Sequence, residues 1–477
     1  MLFNSIPFIV FFPIVVMIYY LIPQKIRYIW LLVCSYFFYF TQSSSSVAFL
    51  ILSTISTYLA GILLNRASLI KVKNLIVAAI FVVNIGLIVF FKYTNFFLDT
   101  VGSDRRMSLI VPIGISFYTL QALSYVMDCY RGKMETEKNL ARYALYVSFF
   151  LTLLSGPINK GRDFMPELAC DKKLDLDRVK VGMQKMLWGY FLKLVIAARL
   201  TILVDTAYAN ADGFSGSSLV VAAVCYLFML YCDFQGYSCI AIGGAKILGI
   251  DMKENFLQPF YSTSMGELWR RWHVSLSTWF KEYVYFPLGG NRKGQTRKYI
   301  NMMIIMFVSG LWHGANYTFF VWGLLNGFFL IMGNILIEKR NQLADRTGLN
   351  KHPELRRNLQ RIGVYILYGF TMIFFASDNM SNALLVIRRI VLNFGLVRAL
   401  HGEVFSLGLG VFNLAFAGLM CIIVLVVDGF CNKYSCDETK LVERVPTLYR
   451  WMIYIGIVTM IVFSANLSGK EFIYSQM

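Results

Sequence analysis

The sequence predicts an all-α polytopic membrane protein of about 11–13 transmembrane helices, with re-entrant segments around an internal cavity. Three observations carry that prediction. Hydrophobic residues make up 57% of the 477 positions and charged residues only 15%. Apolar runs of about 17–25 residues recur from end to end, the length needed to cross roughly 30 Å of hydrocarbon. Lys and Arg gather in the short stretches between those runs, which is the pattern of cytoplasmic anchoring. The formal charge of +18 therefore marks loops facing the cytoplasm, and a nucleic-acid partner is excluded on that distribution. The chain reads as a single integral membrane domain, 1–477, with membrane lipid as its surroundings.

The first runs lie at about 6–22, 28–42, 47–64 and 75–92. Met1 to Ile22 lacks a basic leader and a small-residue cleavage site, so the first run is expected to stay as a span. Lys25 and Arg27 follow it, and Arg66, Lys71 and Lys73 follow the third run, whereas Ser43–Ser46 between them carries no charge. Positive-inside then places the N-terminus outside the cytoplasm. A fifth run, about 108–127, contains Pro112 and Gly114, which loosen a helix. The run at about 143–158 has charged loops on both sides, one of them strongly basic. A single crossing cannot leave both loops on one face, so this run is expected to dip in and return. Non-helical backbone at that depth needs protein or an aqueous cavity around it.

Further spans are expected at about 182–204 and 219–248. The second carries Asp233 and Gln235, polar groups that should face the bundle interior, as a contact between helices or as the lining of a substrate path. Residues 264–298 alternate aromatic and charged side chains and read as an interfacial or re-entrant helix. Runs at about 299–312 and 315–337, broken around Gly310–Gly314, lead to the basic loop Glu338–Arg361. Arg388, Arg389 and Arg398 mark an amphipathic outer segment, and spans at about 362–377, 408–428 and 451–465 complete the chain. The count puts the C-terminus outside as well, and every loop placed outside is short.

The stretch Ser264–Gly327 holds His273 and His313, two of the chain's four histidines. An ionisable group in such apolar surroundings is a functional candidate by default. His313 stands between Gly310 and Gly314, where helix backbone can approach closely or unwind. A neutral imidazole in a low-dielectric site can take the proton of a hydroxyl as it attacks a thioester, so His313 is the candidate general base. The alternative is a histidine satisfied by a neighbouring helix. Asn316, three residues on, is expected on the same helical face, steadying the imidazole or the oxyanion. Gly289–Gly290–Asn291–Arg292–Lys293–Gly294 resembles a phosphate cradle without a P-loop ending. With Arg297 and Lys298, Arg292 and Lys293 either hold the phosphates of coenzyme A or anchor the chain to the cytoplasmic face. Gly323 and Gly327 form a helix-packing pair. No closely spaced His pair or Cys-x-x-Cys points to a metal site, and Cys431 and Cys436 are expected in a basic loop.

The run W-R-R-W-H-V-S-L-S-T-W-F-K-E-Y-V-Y-F-P-L-G-G-N-R-K-G followed by G-L-W-H-G-A resembles the membrane-bound O-acyltransferase (MBOAT) family. The likeness is greatest to its bacterial branch, whose members O-acetylate alginate, peptidoglycan or other wall polymers. P-I-G-I-S-F-Y-T-L-Q, S-G-P-I-N-K-G-R-D-F, Y-C-D-F-Q-G-Y-S and E-N-F-L-Q-P-F-Y support it, and together these segments define a catalytic core at 110–330. The resemblance implies a funnel or tunnel through the bacterial cell membrane, with donor entering from the cytoplasm and acceptor from outside. It implies that His313 is catalytic, that His273 assists it, and that acetyl-CoA is the substrate with no permanently bound cofactor. In the extracytoplasmic tail, 466–477, it implies that Tyr474 carries the acyl group as an ester. The ending departs from the family's form, since Gln476 and Met477 stand where an aromatic is expected. With no outer domain to hold a polymer, an extracytoplasmic acyltransferase partner is implied, delivering acetyl to a cell-wall or exopolysaccharide acceptor. The alternatives are D-alanyl transfer to teichoic acid from a carrier protein, and a transporter or flippase that makes no bond.

Overall fold

The computed structural model describes residues 1–464, and every regular element among them is helical. The tail with Tyr474 lies outside the described residues. In chain order the first helices are α1 (Ile6–Leu21), α2 (Arg27–Phe40), α3 (Val47–Arg66), α4 (Ile70–Thr100) and α5 (Ile115–Tyr130). Pro112 and Gly114 do not interrupt the fifth span; they precede it. Gly114 caps α5 with a φ of +74°. A side chain there would also meet the Leu153 carbonyl oxygen at 2.4 Å, so only glycine fits.

The run expected to dip and return is broken into α6 (Leu140–Ser148) and α7 (Phe150–Leu153), then non-helical backbone to Lys160. Neither piece is long enough to cross a bilayer. The non-helical part is buried throughout. The backbone of Asn159 within it is satisfied from inside the protein: Tyr146 Oη donates to the Asn159 carbonyl (3.1 Å) and the Asn159 N–H to Gln121 Oε1 (3.4 Å).

Next come α8 (Gly161–Ala169), α9 (Leu176–Tyr190) and α10 (Ala198–Ala209), the last two joined by a π-helical stretch, Phe191–Ala197. The 32-residue α11 (Gly216–Ile247) follows, then the short α12 (Met265–Arg271) and α13 (Val274–Phe280). The remainder comprises α14 (Gly294–His313), α15 (Tyr317–Ile335), α16 (Ile337–Arg346), α17 (Pro353–Ala376), α18 (Met380–Leu392), α19 (Leu396–Leu400), α20 (Gly410–Tyr434), α21 (Glu438–Glu443) and α22 (Thr447–Ser464). α20 runs past the predicted end of its span and takes in Cys431, which is buried in the helix and not in a loop.

Seven described helices are long and apolar enough to cross a membrane: α3, α4, the continuous α9–α10, α11, α15, α17 and α20. α1 and α22 are apolar but shorter. The protein is an all-α, multi-pass membrane protein. The described residues form two compact units, one of Met1–Gly189 with Tyr237–Glu254, the other of Tyr190–Gly236 with 255–464. In the first unit α9 and α11 meet through glycines: a Cβ on Gly182 would lie 2.6 Å from the Gly243 carbonyl oxygen. The second unit holds both candidate histidines.

Candidate active site

The approach to His273 is fixed by α12. Ser264 caps that helix, its Oγ accepting from the Glu267 N–H at 3.1 Å. Glu267 reaches back to the Thr263 N–H and hydroxyl, each at 2.8 Å, and pairs with Arg271 at 2.8 Å. Burial alone would raise the Glu267 pKa; the bonds from Thr263 and the Arg271 charge outweigh it and hold the carboxyl below its ordinary value. The helix stops at Trp272, and His273 turns the chain into α13 with a left-handed φ of +46°.

Asn255 holds that turn. Its carbonyl accepts from the Val274 N–H at 2.8 Å, and its Oδ1 accepts from Ser275 Oγ at 2.9 Å and the Ser275 N–H at 3.4 Å. His273 Nδ1 lies 3.1 Å from the same Oδ1. A backbone N–H can only donate, so the Asn255 atom facing this cluster is the oxygen. Nδ1 must then carry the imidazole proton, which leaves the lone pair on Nε2. His273 is 2% exposed and lies outside the seven spans. Burial pushes its pKa down to about 3, so the ring is neutral near pH 7.

His313 is positioned by the hairpin of α14 and α15. A Cβ on Gly310 would stand 2.4 Å from the Phe319 carbonyl oxygen, and one on Gly323 would stand 2.5 Å from that of Met306. Gly327 packs against Met303 and Met306, as the predicted pair requires. This close seam ends α14 at His313, which is 4% exposed. Its ring is surrounded by Trp312, Phe375 and Trp322, with centroids at 4.9, 5.0 and 5.1 Å. Trp312 also lies 6.0 Å from the His273 ring, so one indole stands against both imidazoles. Trp269 of α12 packs on Trp322 at 5.7 Å, joining the two histidine-bearing segments.

The structure corrects the placement of Asn316. α14 ends at His313 and residues 314–316 are not helical, so the two side chains share no helical face. Asn316 caps α15 instead: Oδ1 accepts from the Thr318 N–H at 3.1 Å and Nδ2 donates to the Asp378 carbonyl at 2.6 Å. The break that ends α14 at His313 also cancels the three-residue spacing.

Asp233 and Gln235 are buried, at 8% and 6% exposed. Asp233 pairs with Lys193 of the π-helical stretch, itself 6% exposed. Gln235 Oε1 finds no donor among the described residues. Gly289, Gly290 and Gly294 all have positive φ, as a tight loop requires, with Arg292 and Lys293 exposed beside them. Lys298 reaches Asn334 at 3.5 Å. The structure thus gathers His273, His313 and Asp233 into one unit with an aromatic core.

Sequence reasoning missed Asn255, Lys193 and Asp428. Asp428 is buried in α20 and accepts from Tyr231 Oη at 2.8 Å. Lys193 and Asp428 each had a usable signal, an ionisable residue inside an apolar run. Asn255 sits in a quoted segment, but nothing local ties it to a histidine eighteen residues away.

Comparison with known proteins bears on this arrangement. The family model described as MBOAT, membrane-bound O-acyltransferase family, matches residues 33–377. A protein named "Probable alginate O-acetylase" from Pseudomonas syringae pv. tomato is 34% identical over 397 residues, 80% of this chain and 74% of that protein. A peptidoglycan O-acetyltransferase of Helicobacter pylori is 29% identical over 395 residues, 76% of this chain and 73% of its own. A teichoic acid D-alanyltransferase of Streptococcus thermophilus is 28% identical over 289 residues, 57% and 69% respectively. A transporter that makes no bond does not fit the family match. The chain belongs to the membrane-bound O-acyltransferase family and is a multi-pass membrane O-acyltransferase.

Proposed function

We propose that the protein takes an acetyl group from cytoplasmic acetyl-CoA and delivers it across the bacterial cell membrane for O-acetylation of an extracellular or cell-wall polysaccharide. The observation that carries this reading is the buried His313 at a glycine-broken helix end, with Trp312 between it and His273. His313 removes the proton of the attacking hydroxyl as its oxygen bonds to the thioester carbonyl carbon. The carbon–sulfur bond then breaks, and coenzyme A leaves as a thiol that takes up the proton. His273, neutral with its lone pair on Nε2, assists in positioning or proton transfer.

The path is a tunnel open to donor from the cytoplasm and to acceptor from outside, with Asp233 and Gln235 beside it. Arg292, Lys293, Arg297 and Lys298 bind the donor's phosphates. Both termini are extracytoplasmic, so Tyr474 carries the acetyl ester on the outer side. A separate extracytoplasmic transferase passes it to the polymer, and no permanently bound cofactor takes part. Acetyl transfer is favoured over D-alanyl transfer because the relative named for O-acetylation of alginate matches 80% of this chain, against 57% for the D-alanyl relative.

Purified protein incubated with radiolabelled acetyl-CoA tests the reading. His313→Ala should abolish label transfer; full transfer by that variant would falsify the assignment. Mass spectrometry of the C-terminal peptide tests the relay, and an unmodified Tyr474 in trapped, active enzyme counts against it.

A further inference from the structure

A lysine and an aspartate are buried together inside the second unit, and the acyl-transfer chemistry does not use the lysine. Lys193 Nζ donates to Asp233 Oδ1, with both residues more than nine-tenths buried. Lys193 lies in the π-helical stretch Phe191–Ala197, in the middle of an otherwise regular 34-residue apolar helix. A π-wound turn is an uncommon departure that recurs at functional sites. An ion pair in a bilayer-spanning helix is costly enough that a role beyond packing is its default reading.

The turn of α11 that carries Asp233 is fixed at a second point. Tyr231 Oη donates to Asp428 of α20 at 2.8 Å. One residue beyond the aspartate stands Phe234, fully buried, with its ring edge-on to His273 at 4.7 Å and an interplanar angle of 83°. Phe234 also meets Phe256 at 5.2 Å, the residue following Asn255, which holds His273 Nδ1 from the other side. The imidazole is thus set between a hydrogen-bonding amide and a ring whose placement depends on the rotation of one helical turn.

We propose that Lys193 and Asp233 are positioning residues for His273, acting through Phe234. The ion pair fixes the rotation of α11 at Asp233, and Phe234 transmits it to the imidazole plane. This rests on the reading of His273 as an assistant to acyl transfer.

The test is a cycle on the purified membrane protein, read by cleavage of radiolabelled acetyl-CoA. Replacing both charges, Lys193→Met with Asp233→Leu, removes the pair without leaving one charge alone, a change that interiors commonly tolerate. That double variant should keep a wild-type thermal midpoint and KM for acetyl-CoA, while kcat falls by about tenfold or more. Phe234→Leu should lower kcat to a similar degree. Joining it to the double variant should cost nothing further, because all three changes break one connection. Lys193→Arg, which keeps the charge, should retain most of the wild-type kcat and serves if the neutral variant does not fold. Wild-type kcat in the folded neutral variant, fully additive losses with Phe234→Leu, or a Lys193→Arg variant as slow as His273→Asn would overturn the proposal. If His273→Asn and His313→Ala both retain full turnover, the site reading itself has failed, whatever the pair variants do.

Discussion

Asn255 Oδ1 lies 3.1 Å from His273 Nδ1 while also accepting from Ser275, so one side chain sets both the tautomer of the imidazole and the path of the backbone beyond it. Replacing Asn255 by Ala leaves the buried His273 N–H and the half-buried Ser275 hydroxyl without that acceptor. The expected cost is about 1–3 kcal/mol of stability, with acetyl-CoA cleavage slowed at least tenfold. Thermal unfolding in detergent and thioester turnover measure the two effects separately.

The lowered pKa of His273 has a consequence for stability against pH. Its ordinary value is 6.5 and its value in the folded protein is about 3. Between those values the unfolded chain binds the proton and the folded protein does not. The stability due to the neutral ring is therefore complete above pH 6.5 and declines as pH falls toward 3. A series of melting midpoints from pH 7.5 to 5 should drop more steeply for the wild type than for His273→Asn. Parallel slopes would contradict the assignment.

The seam between α14 and α15 predicts a contrast between two glycines. At Gly310, in α14, an added methyl meets a carbonyl oxygen at 2.4 Å, whereas at Gly333, in α15, nothing lies within 4 Å. Gly310→Ala should destabilise the protein by about 1–3 kcal/mol by forcing the helices apart, and it should displace His313 and slow turnover. Gly333→Ala should be neutral or stabilising by up to about 1 kcal/mol through helix propensity. Melting midpoints of the two variants decide it.

Capping of α12 supplies a milder test. Ser264→Ala removes the acceptor for the Glu267 N–H and should cost about 1 kcal/mol. Because α12 delivers the chain into His273, turnover should fall by more than the stability loss alone accounts for. Rescue by Ser264→Asp, an equally good cap, would show that the hydrogen bond is responsible.

Much of this arrangement is legible in the amino-acid sequence. Hydropathy placed most of the helices, because a span must be apolar over a fixed length whatever it packs against. The break at Gly310–Gly314 was visible because glycine's effect on a helix is local, and Gly323 with Gly327 announced a helix contact that the structure places against Met303 and Met306. The place of Asn316 is hidden for the converse reason: a helical spacing does not carry across His313, where the helix ends. Lys193 and Asn255 stayed hidden because each matters through a partner far along the chain, Asp233 forty residues on and His273 eighteen. Apolar patterning records which face is buried, not which polar group another one meets there.

The left-handed backbone at position 273 limits which replacements report on chemistry. A φ of +46° is poorly tolerated by β-branched side chains and well tolerated by Asn and Gly. Val or Thr at this site would distort the junction of two helices and abolish activity for a conformational reason unrelated to proton transfer. Asn deletes the imidazole and keeps the bend, while Gly relaxes the bend and empties the space. The difference between those two variants isolates what the ring contributes from what the corner contributes, a separation that an alanine scan of this protein would miss.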